Sequence, residues 1–126
     1  LEEGFKLRLL LVENVSHDEL RKKYIECDIF IDQILAGWYG TASIEAMAIG
    51  RPVVCFLRES YFEYINYGQE IPIINANPKT LYDVLKETIL NVAKLPEIGL
   101  RSRRFVENIH KAETVTNKLI EIYKKL

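Results

Sequence analysis

Four short apolar runs along the chain lack helical spacing and therefore predict β-strands. They cover residues 5–12, 28–31, 52–56 and 71–74. The third run, Pro52-Val53-Val54-Cys55-Phe56, is apolar throughout, which is typical of a parallel strand buried on both faces. Pro72 has no N–H to donate to a ladder, so we expect the last strand at an edge of the sheet.

Apolar residues recur at helical spacing between the strands and towards the end of the chain. Ser16, followed three residues later by Glu19, forms a capping box and predicts a helix that ends near Glu26. Thr41 is expected to cap the second helix, which ends at Gly50. Further helices are predicted to begin at Asn77-Pro78 and at Pro96, and the terminal helix is expected over 109–126.

The alternation of strands with helices predicts an α/β fold. We expect a Rossmann-like three-layer sandwich, in which helices flank a small, mostly parallel sheet, over residues 1–126 as a single domain. Four strands are few for a complete doubly wound sheet, and the chain begins at Leu1 with only a short polar lead. These two features predict a partial domain that is truncated at its front end.

Composition and charge exclude several classes of protein. Seventeen Lys and Arg residues against eighteen Asp and Glu residues give a formal charge of −1, which excludes a polybasic nucleic-acid module. Cys27 and Cys55 lie inside apolar runs and are expected to be buried free thiols, which suits a reducing compartment. No apolar stretch approaches the roughly 20 residues of a membrane helix, and the sequence offers no metal-ligand spacing.

The strongest candidate for chemistry is the turn between the second strand and the second helix, residues 37–45. Ligands of open parallel sheets bind outside the carboxyl ends of the strands, and this turn follows such an end. Free N–H groups and the helix dipole there favour an anion such as a phosphate. Gly40 permits close backbone approach, and Glu45 is near enough to reach a sugar hydroxyl beside that phosphate. The alternative is a structural turn in which Glu45 stabilises the helix dipole.

Other polar and aromatic side chains each allow two interpretations. Arg58 follows the third strand at the ligand-facing end, where it contacts a phosphate or acceptor, or else forms a surface ion pair. The aromatic segment 61–67 stacks on a base or sugar, or covers the end of the sheet, and we favour the cover. We interpret His17 as solvated and His110 as structural.

The run from Gly40 to Val54 has the sequence Gly-Thr-Ala-Ser-Ile-Glu-Ala-Met-Ala-Ile-Gly-Arg-Pro-Val-Val. It resembles the nucleotide-sugar loop of GT-B glycosyltransferases, in particular the retaining group called family four. The resemblance extends over the flanking helices and strands to nearly the whole chain. It implies the C-terminal nucleotide-sugar-binding domain of such an enzyme. In that role Glu45 binds the ribose, and the backbone amides of Gly40, Thr41 and Ala42 meet the diphosphate.

The same resemblance suggests further donor contacts. Asn14 and Val15 match the region near the nucleobase. The donor sugar is expected beside the first part of the loop, which consists of Gly37, Trp38 and Tyr39.

One departure from the family pattern falls on Gly37. The family's first glutamate would stand there, and glycine supplies no carboxylate. Either the donor sugar is positioned differently here, or other residues of the same region position it. The candidates for that role are Asp32, Gln33, Trp38 and Tyr39.

The function implied by the resemblance is transfer of a hexosyl group from a UDP-, GDP- or ADP-sugar to a glycan, lipid or small acceptor, as in polysaccharide biosynthesis. The expected partners are that donor and a missing N-terminal acceptor domain of the same chain, without a cofactor, a metal or nucleic acid. The family's phosphate-binding Arg and Lys and its catalytic residues would precede this segment. The catalytic residues are therefore unknown, and the fragment alone is expected to be inactive. The expected location is the cytoplasm, with peripheral membrane contact of the full-length protein left open.

Two alternatives stay open. A nucleotide-sugar epimerase of the same architecture shares the diphosphate turn, and its product, an epimerised donor, would distinguish it. A non-catalytic GT-B-like domain would keep the fold without the donor site, and Gly37 is the feature that favours it.

Overall fold

A computed structural model of the chain describes residues 4, 6–65 and 67–126. These residues form five α-helices and three short strands. All three strands lie between residues 30 and 75, and only helices follow them. In chain order they are α1 (His17–Glu26), β1 (Phe30–Ile31), α2 (Thr41–Ala48), β2 (Val53–Cys55), β3 (Ile74–Asn75), α3 (Leu81–Leu90), α4 (Leu95–Ile109) and α5 (Ala112–Lys124). Two short 3-10 helices, Glu59–Glu63 and Val92–Lys94, precede β3 and α4 respectively.

The strands form one parallel sheet with β2 in the middle. Phe30 pairs with Val53 on one side of β2, and Val54 pairs with Ile74 on the other. All three residues of β2 are fully buried, as an apolar parallel strand requires. The chain is thus an α/β structure, in which helices flank a small parallel sheet, and this much of the expected fold class is confirmed.

The prediction of a first strand over residues 5–12 is wrong for the part that the structure describes. Residues 6–12 belong to neither a helix nor a strand, while Phe5 lies outside the described residues. Leu9 and Leu11 are 83% and 79% exposed, so the leucines that suggested a buried strand face solvent. An apolar run becomes a buried strand only beside a hydrogen-bonding partner, and β1 pairs with β2 alone.

Helix boundaries agree closely with the capping signals, with one correction. Ser16 caps α1, since its Oγ accepts a hydrogen bond from the Glu19 N–H at 3.2 Å. The residue that caps α2 is Gly40, whereas Thr41 was expected there and is instead the first helical residue. Gly40 offers no side-chain acceptor, so the amides at the start of α2 have no capping side chain.

The later elements differ from their predicted limits by a few residues. The edge position that Pro72 predicted is confirmed, although the strand itself is Ile74–Asn75. Asn77 Oδ1 accepts hydrogen bonds from the amides of Lys79 and Thr80, in a turn that leads into α3. The terminal helix begins at Ala112 rather than at residue 109, because Ile109 ends α4 and is buried with it.

The core lies between the sheet and the pair α2 and α4. Ala46 and Met47 of α2 are fully buried, and Phe105 of α4 is 2% exposed. The two helical segments come close where Gly99 of α4 meets Gly50, which follows α2 with a φ of +87°. A side chain at Gly99 would overlap the Gly50 carbonyl. Among the described residues, no helix is long and apolar enough to cross a membrane.

Candidate functional site

The turn between β1 and α2 is fixed by backbone hydrogen bonds to the segment after β2. The Phe56 N–H donates to the Gln33 carbonyl at 3.0 Å, and the Arg58 N–H donates to the Gly37 carbonyl at 2.8 Å. These bonds extend the parallel pairing past the ends of the strands. The turn therefore lies at the carboxyl ends of β1 and β2, where ligands of such sheets bind.

Glu45, the predicted ribose ligand, is held by two side chains of α1. His17 Nε2 lies 3.3 Å from Oε1, and the Tyr24 hydroxyl donates to Oε2 at 3.3 Å. Tyr24 is almost fully buried, while the Glu45 side chain is 28% exposed. Burial and the adjacent Glu45 carboxylate raise the pKa of Tyr24 to about 12, so the phenol keeps its proton as a donor. The carboxylate is thus fixed in position and still reachable from solvent.

Sequence reasoning did not find this arrangement around Glu45. Tyr24 falls within the helix predicted to end near Glu26, where the sequence assigned it no contact with Glu45, and His17 was interpreted as solvated. His17 is indeed mostly exposed, yet its ring reaches Glu45. The capping signal placed both residues on α1, but their approach to Glu45 of α2 is a tertiary contact that no local pattern encodes.

Asp32 and Ser43 form a second connection between the end of β1 and the first turn of α2. The Ser43 hydroxyl is fully buried and donates a short hydrogen bond to Asp32 Oδ2. Asp32 was a candidate replacement for the family's first glutamate. In this structure one of its carboxylate oxygens is engaged inside the fold, where it fixes the start of α2.

The backbone conformation of Gly37 and the adjacent Arg58 side chain leave little room for a side chain at position 37. Gly37 has a φ of +89°, which strains any residue with a side chain, and a Cβ there would lie 3.0 Å from Arg58 Nε. The Arg58 guanidinium carbon lies 5.6 Å and 5.7 Å from the ring centroids of Phe56 and Tyr61. Within the described residues no carboxylate lies within ion-pair distance of Arg58. The surface ion pair is therefore not found there, and the cation is exposed beside the turn.

Trp38 and Tyr39 anchor the turn to an aromatic cluster instead of standing free. The Trp38 ring stacks on Tyr39 at 5.4 Å and meets Phe62 edge-on at 5.6 Å. The Tyr39 hydroxyl lies 2.7 Å from His110 Nε2 and donates to the Tyr67 hydroxyl at 3.2 Å. Burial raises the pKa of Tyr39 well above its usual range. The Tyr39 hydroxyl is thus used inside the fold, in agreement with a structural His110.

Asn14 and Val15 lie in the segment that leads into α1. Asn14 has a φ of +53°, a left-handed conformation that asparagine tolerates better than most residues, and Val15 is 40% exposed. From this part of the chain, the side chain that reaches Glu45 is His17. Thr41 is exposed and Ala42 half-buried at the open start of α2.

The arrangement provides uncapped helix amides, a fixed carboxylate and an exposed guanidinium around one end of the sheet. Such a set can hold an anion and accept hydrogen bonds from neighbouring hydroxyls. Within the described residues, no group of three or more His, Cys, Asp and Glu side chains could hold a metal ion. Comparison of the chain with family models, with curated proteins and with solved structures finds no match.

Proposed function

We propose that the turn 37–45 binds the ribose and diphosphate of a nucleotide-sugar donor, and that the domain is a Rossmann-like part of a hexosyl-transferring glycosyltransferase. The observation that carries the proposal is the position of Glu45. Both of its oxygens are held from α1, and it stands in the helix whose N-terminal amides have no capping side chain. A ribose and its phosphates match these two features, because the vicinal hydroxyls can donate to the carboxylate and the phosphates can accept from the amides.

The uncapped start of α2 supplies the anion-binding half of the proposed site. The amides of Thr41 and Ala42 belong to the first turn, where the helix dipole is positive and N–H groups lack intrahelical partners. Gly40 has no side chain in their way, and a Cβ there would meet no atom within 4 Å. A phosphate has free access to these donors.

Arg58 supplies a cation for the same diphosphate in this proposal. Its guanidinium is held against two aromatic rings and lies beside Gly37, three residues before the cap. The departing nucleoside diphosphate gains negative charge during sugar transfer. Fixed amides and a guanidinium that meet this charge stabilise the transition state more than the ground state.

The test is a titration of the protein with UDP, GDP and ADP, followed by backbone amide chemical shifts. We expect shifts centred on Gly40 to Glu45 for one nucleotide. Glu45→Gln should lower the affinity for that nucleotide roughly tenfold, because a neutral amide replaces the carboxylate that accepts hydrogen bonds from the ribose. Glu121→Gln, on the exposed face of α5, is the matched control. Equal affinities of the two variants, or nucleotide shifts away from the turn, would contradict the proposal.

One observation favours the non-catalytic alternative. At Gly37 the positive φ and the adjacent Arg58 side chain leave no place for the family's first glutamate. A domain that only keeps the fold would bind none of the three nucleotides. If a nucleotide binds as expected, incubation with its sugar conjugates and product analysis then separate transfer from epimerisation.

A further inference from the structure

A cavity of about 480 Å³ lies next to the turn, between the segment that follows β2 and the segment that leads into β3. Its floor is formed by Leu57 and Ile73, which are 3% and 9% exposed. Asn75 closes one side, with its amide group tied to the Leu57 backbone by bonds of 2.8 Å and 3.1 Å. The size is that of a small-molecule site.

Two aromatic walls of this cavity are fixed by residues of the turn. Phe62 meets Trp38 edge-on at 5.6 Å, and the Tyr67 hydroxyl accepts a hydrogen bond from Tyr39. Tyr67 also packs edge-on against Phe105 at 5.7 Å, so its ring is anchored in the core. The walls are therefore preorganised, and a ligand would not have to order them.

The rim of the cavity accepts hydrogen bonds and carries negative charge. Glu63 and Glu70 both line it and are exposed, and neither forms an ion pair within the described part of the chain. Gln69 adds an amide, and no Lys or Arg is among the described residues that line the cavity. Two unpaired carboxylates repel a phosphate, so the cavity is unsuited to a nucleotide. They favour an uncharged ligand that donates several hydrogen bonds.

We propose that this cavity is a second ligand site, which binds a neutral hexopyranose ring. A pyranose has an apolar C–H face that matches the floor of Leu57 and Ile73 and the exposed ring of Phe62. Its hydroxyls donate to the carboxylates of Glu63 and Glu70. The site does not depend on the donor site proposed above, although a sugar held there would be suited to the role of an acceptor.

The test is a titration with methyl glucoside, methyl galactoside and methyl mannoside, observed through the methyl resonances of Leu57 and Ile73. Affinity for at least one sugar should be on the order of millimolar, as expected for a single ring in a half-open site. Butylammonium and inorganic diphosphate serve as comparison ligands. Butylammonium combines an apolar chain with a positive charge, and diphosphate carries negative charge without an apolar part. We expect diphosphate to leave these resonances unchanged.

Three substitutions separate recognition from folding. Glu63→Gln and Glu70→Gln keep the shape of the rim. Each should lower the affinity for the sugar roughly fivefold, because each removes one charged acceptor. Phe62→Ala removes the exposed apolar wall and should weaken it at least as much. Glu121→Gln should have no effect, and unchanged spectra elsewhere show that each variant is folded.

The inference would be overturned by the absence of shifts with all three sugars at about 100 mM, a concentration far above the expected dissociation constants. It would equally be overturned if butylammonium bound as tightly as the best sugar, since that indicates a site for cations alone. Failure of the nucleotide titration is a separate result, because nucleotides are observed at Gly40 to Glu45 and sugars at Leu57 and Ile73.

Discussion

The apolar run at residues 53–55 and the apolar run at residues 6–12 occupy opposite environments in the same domain. The first is β2, which lies between two strands and is fully buried. The second has no strand partner in the described sheet, and its leucines at positions 9 and 11 are largely exposed. Their sequences differ in part: residues 53–55 are Val-Val-Cys, whereas residues 6–12 combine four Leu and one Val with Lys6 and Arg8.

The difference lies in what covers each run. β2 has a neighbouring strand on both sides, and the buried side chains of α2 and α4 belong to the same core cluster. Along residues 6–12 only Leu10 and Val12 are half-buried, and the other five residues are exposed. Burial requires hydrogen-bonding partners for the backbone as well as apolar contacts for the side chains. The comparison predicts that stability depends on the region around β2 and hardly on the front segment.

The largest effect should come from Met47→Ala in α2. Met47 is fully buried in the core cluster, so truncation removes apolar contacts and leaves a cavity. We expect a loss of about 2–5 kcal/mol in the free energy of unfolding. Urea denaturation followed by tryptophan fluorescence measures it, since Trp38 packs against this cluster. A loss below about 1 kcal/mol would mean that α2 is less firmly packed on the sheet than the structure indicates.

Gly99→Ala should have the next largest effect, through crowding instead of a cavity. The new Cβ would overlap the Gly50 carbonyl oxygen, which belongs to the backbone and cannot rotate away. α4 must then move from the end of α2, at a cost of about 2–3 kcal/mol in the free energy of unfolding.

Gly50→Ala is the matched control for that substitution. Its Cβ would lie 3.7 Å from the Gly99 carbonyl oxygen, so it adds no clash and strains only a φ of +87°. We expect a loss of about 1 kcal/mol. Equal losses at the two glycines, in the same denaturation experiment, would contradict the close approach of the helices.

A third prediction concerns pH and the connection between the turn and the end of α4. Burial, with a smaller effect of Lys118 on α5, lowers the pKa of His110 from its ordinary value of 6.5. The unfolded chain therefore binds a proton more readily than the folded one. The stability that neutral His110 contributes is complete above about pH 6.5 and is lost as the pH falls through the lowered folded value.

His110→Gln removes this titration and keeps a side chain able to pair with the Tyr39 hydroxyl. Between about pH 7.5 and pH 5, the melting temperature of the variant should fall less than that of the parent protein. The effect should be smaller than those of the core substitutions, because His110 is only half-buried. If the melting temperatures of the two proteins fell by the same amount over this pH range, titration of His110 would not be the cause of the pH dependence.

Local signals predicted the elements of this domain well. Ser16 with Glu19 fixed the start of α1, the continuous run at 53–55 identified the central strand, and Pro72 indicated the edge. Each of these depends on neighbours in sequence or on the chemistry of one residue. The position of the first run could not be predicted in the same way, because its fate depends on whether a partner strand is available.

The sequence predicts those features of the candidate site that depend on neighbouring residues, and it does not predict the contacts between distant segments. The sequence marks Gly40 and Glu45 clearly, and the structure has Gly40 as the cap of α2, after the turn at the carboxyl end of β1, and Glu45 within α2. The engagement of Asp32 by Ser43, and of Glu45 by Tyr24, depends on how helices cross the sheet. No spacing rule contains that information, and the cavity beyond Trp38 likewise arises from segments distant in sequence.

The smallest effect is expected in the front segment, and it completes the comparison. Leu9→Ala truncates an apolar side chain much as Met47→Ala does, but Leu9 is 83% exposed. Its loss should change the free energy of unfolding by no more than about 0.5 kcal/mol, the range of ordinary surface substitutions. Leu10→Ala, at a half-buried neighbour, should cost more than Leu9→Ala in the same denaturation series. If Leu9→Ala instead approached the cost of Met47→Ala, the leucines of residues 6–12 would be covered in solution. The contrast between the two apolar runs would then be wrong.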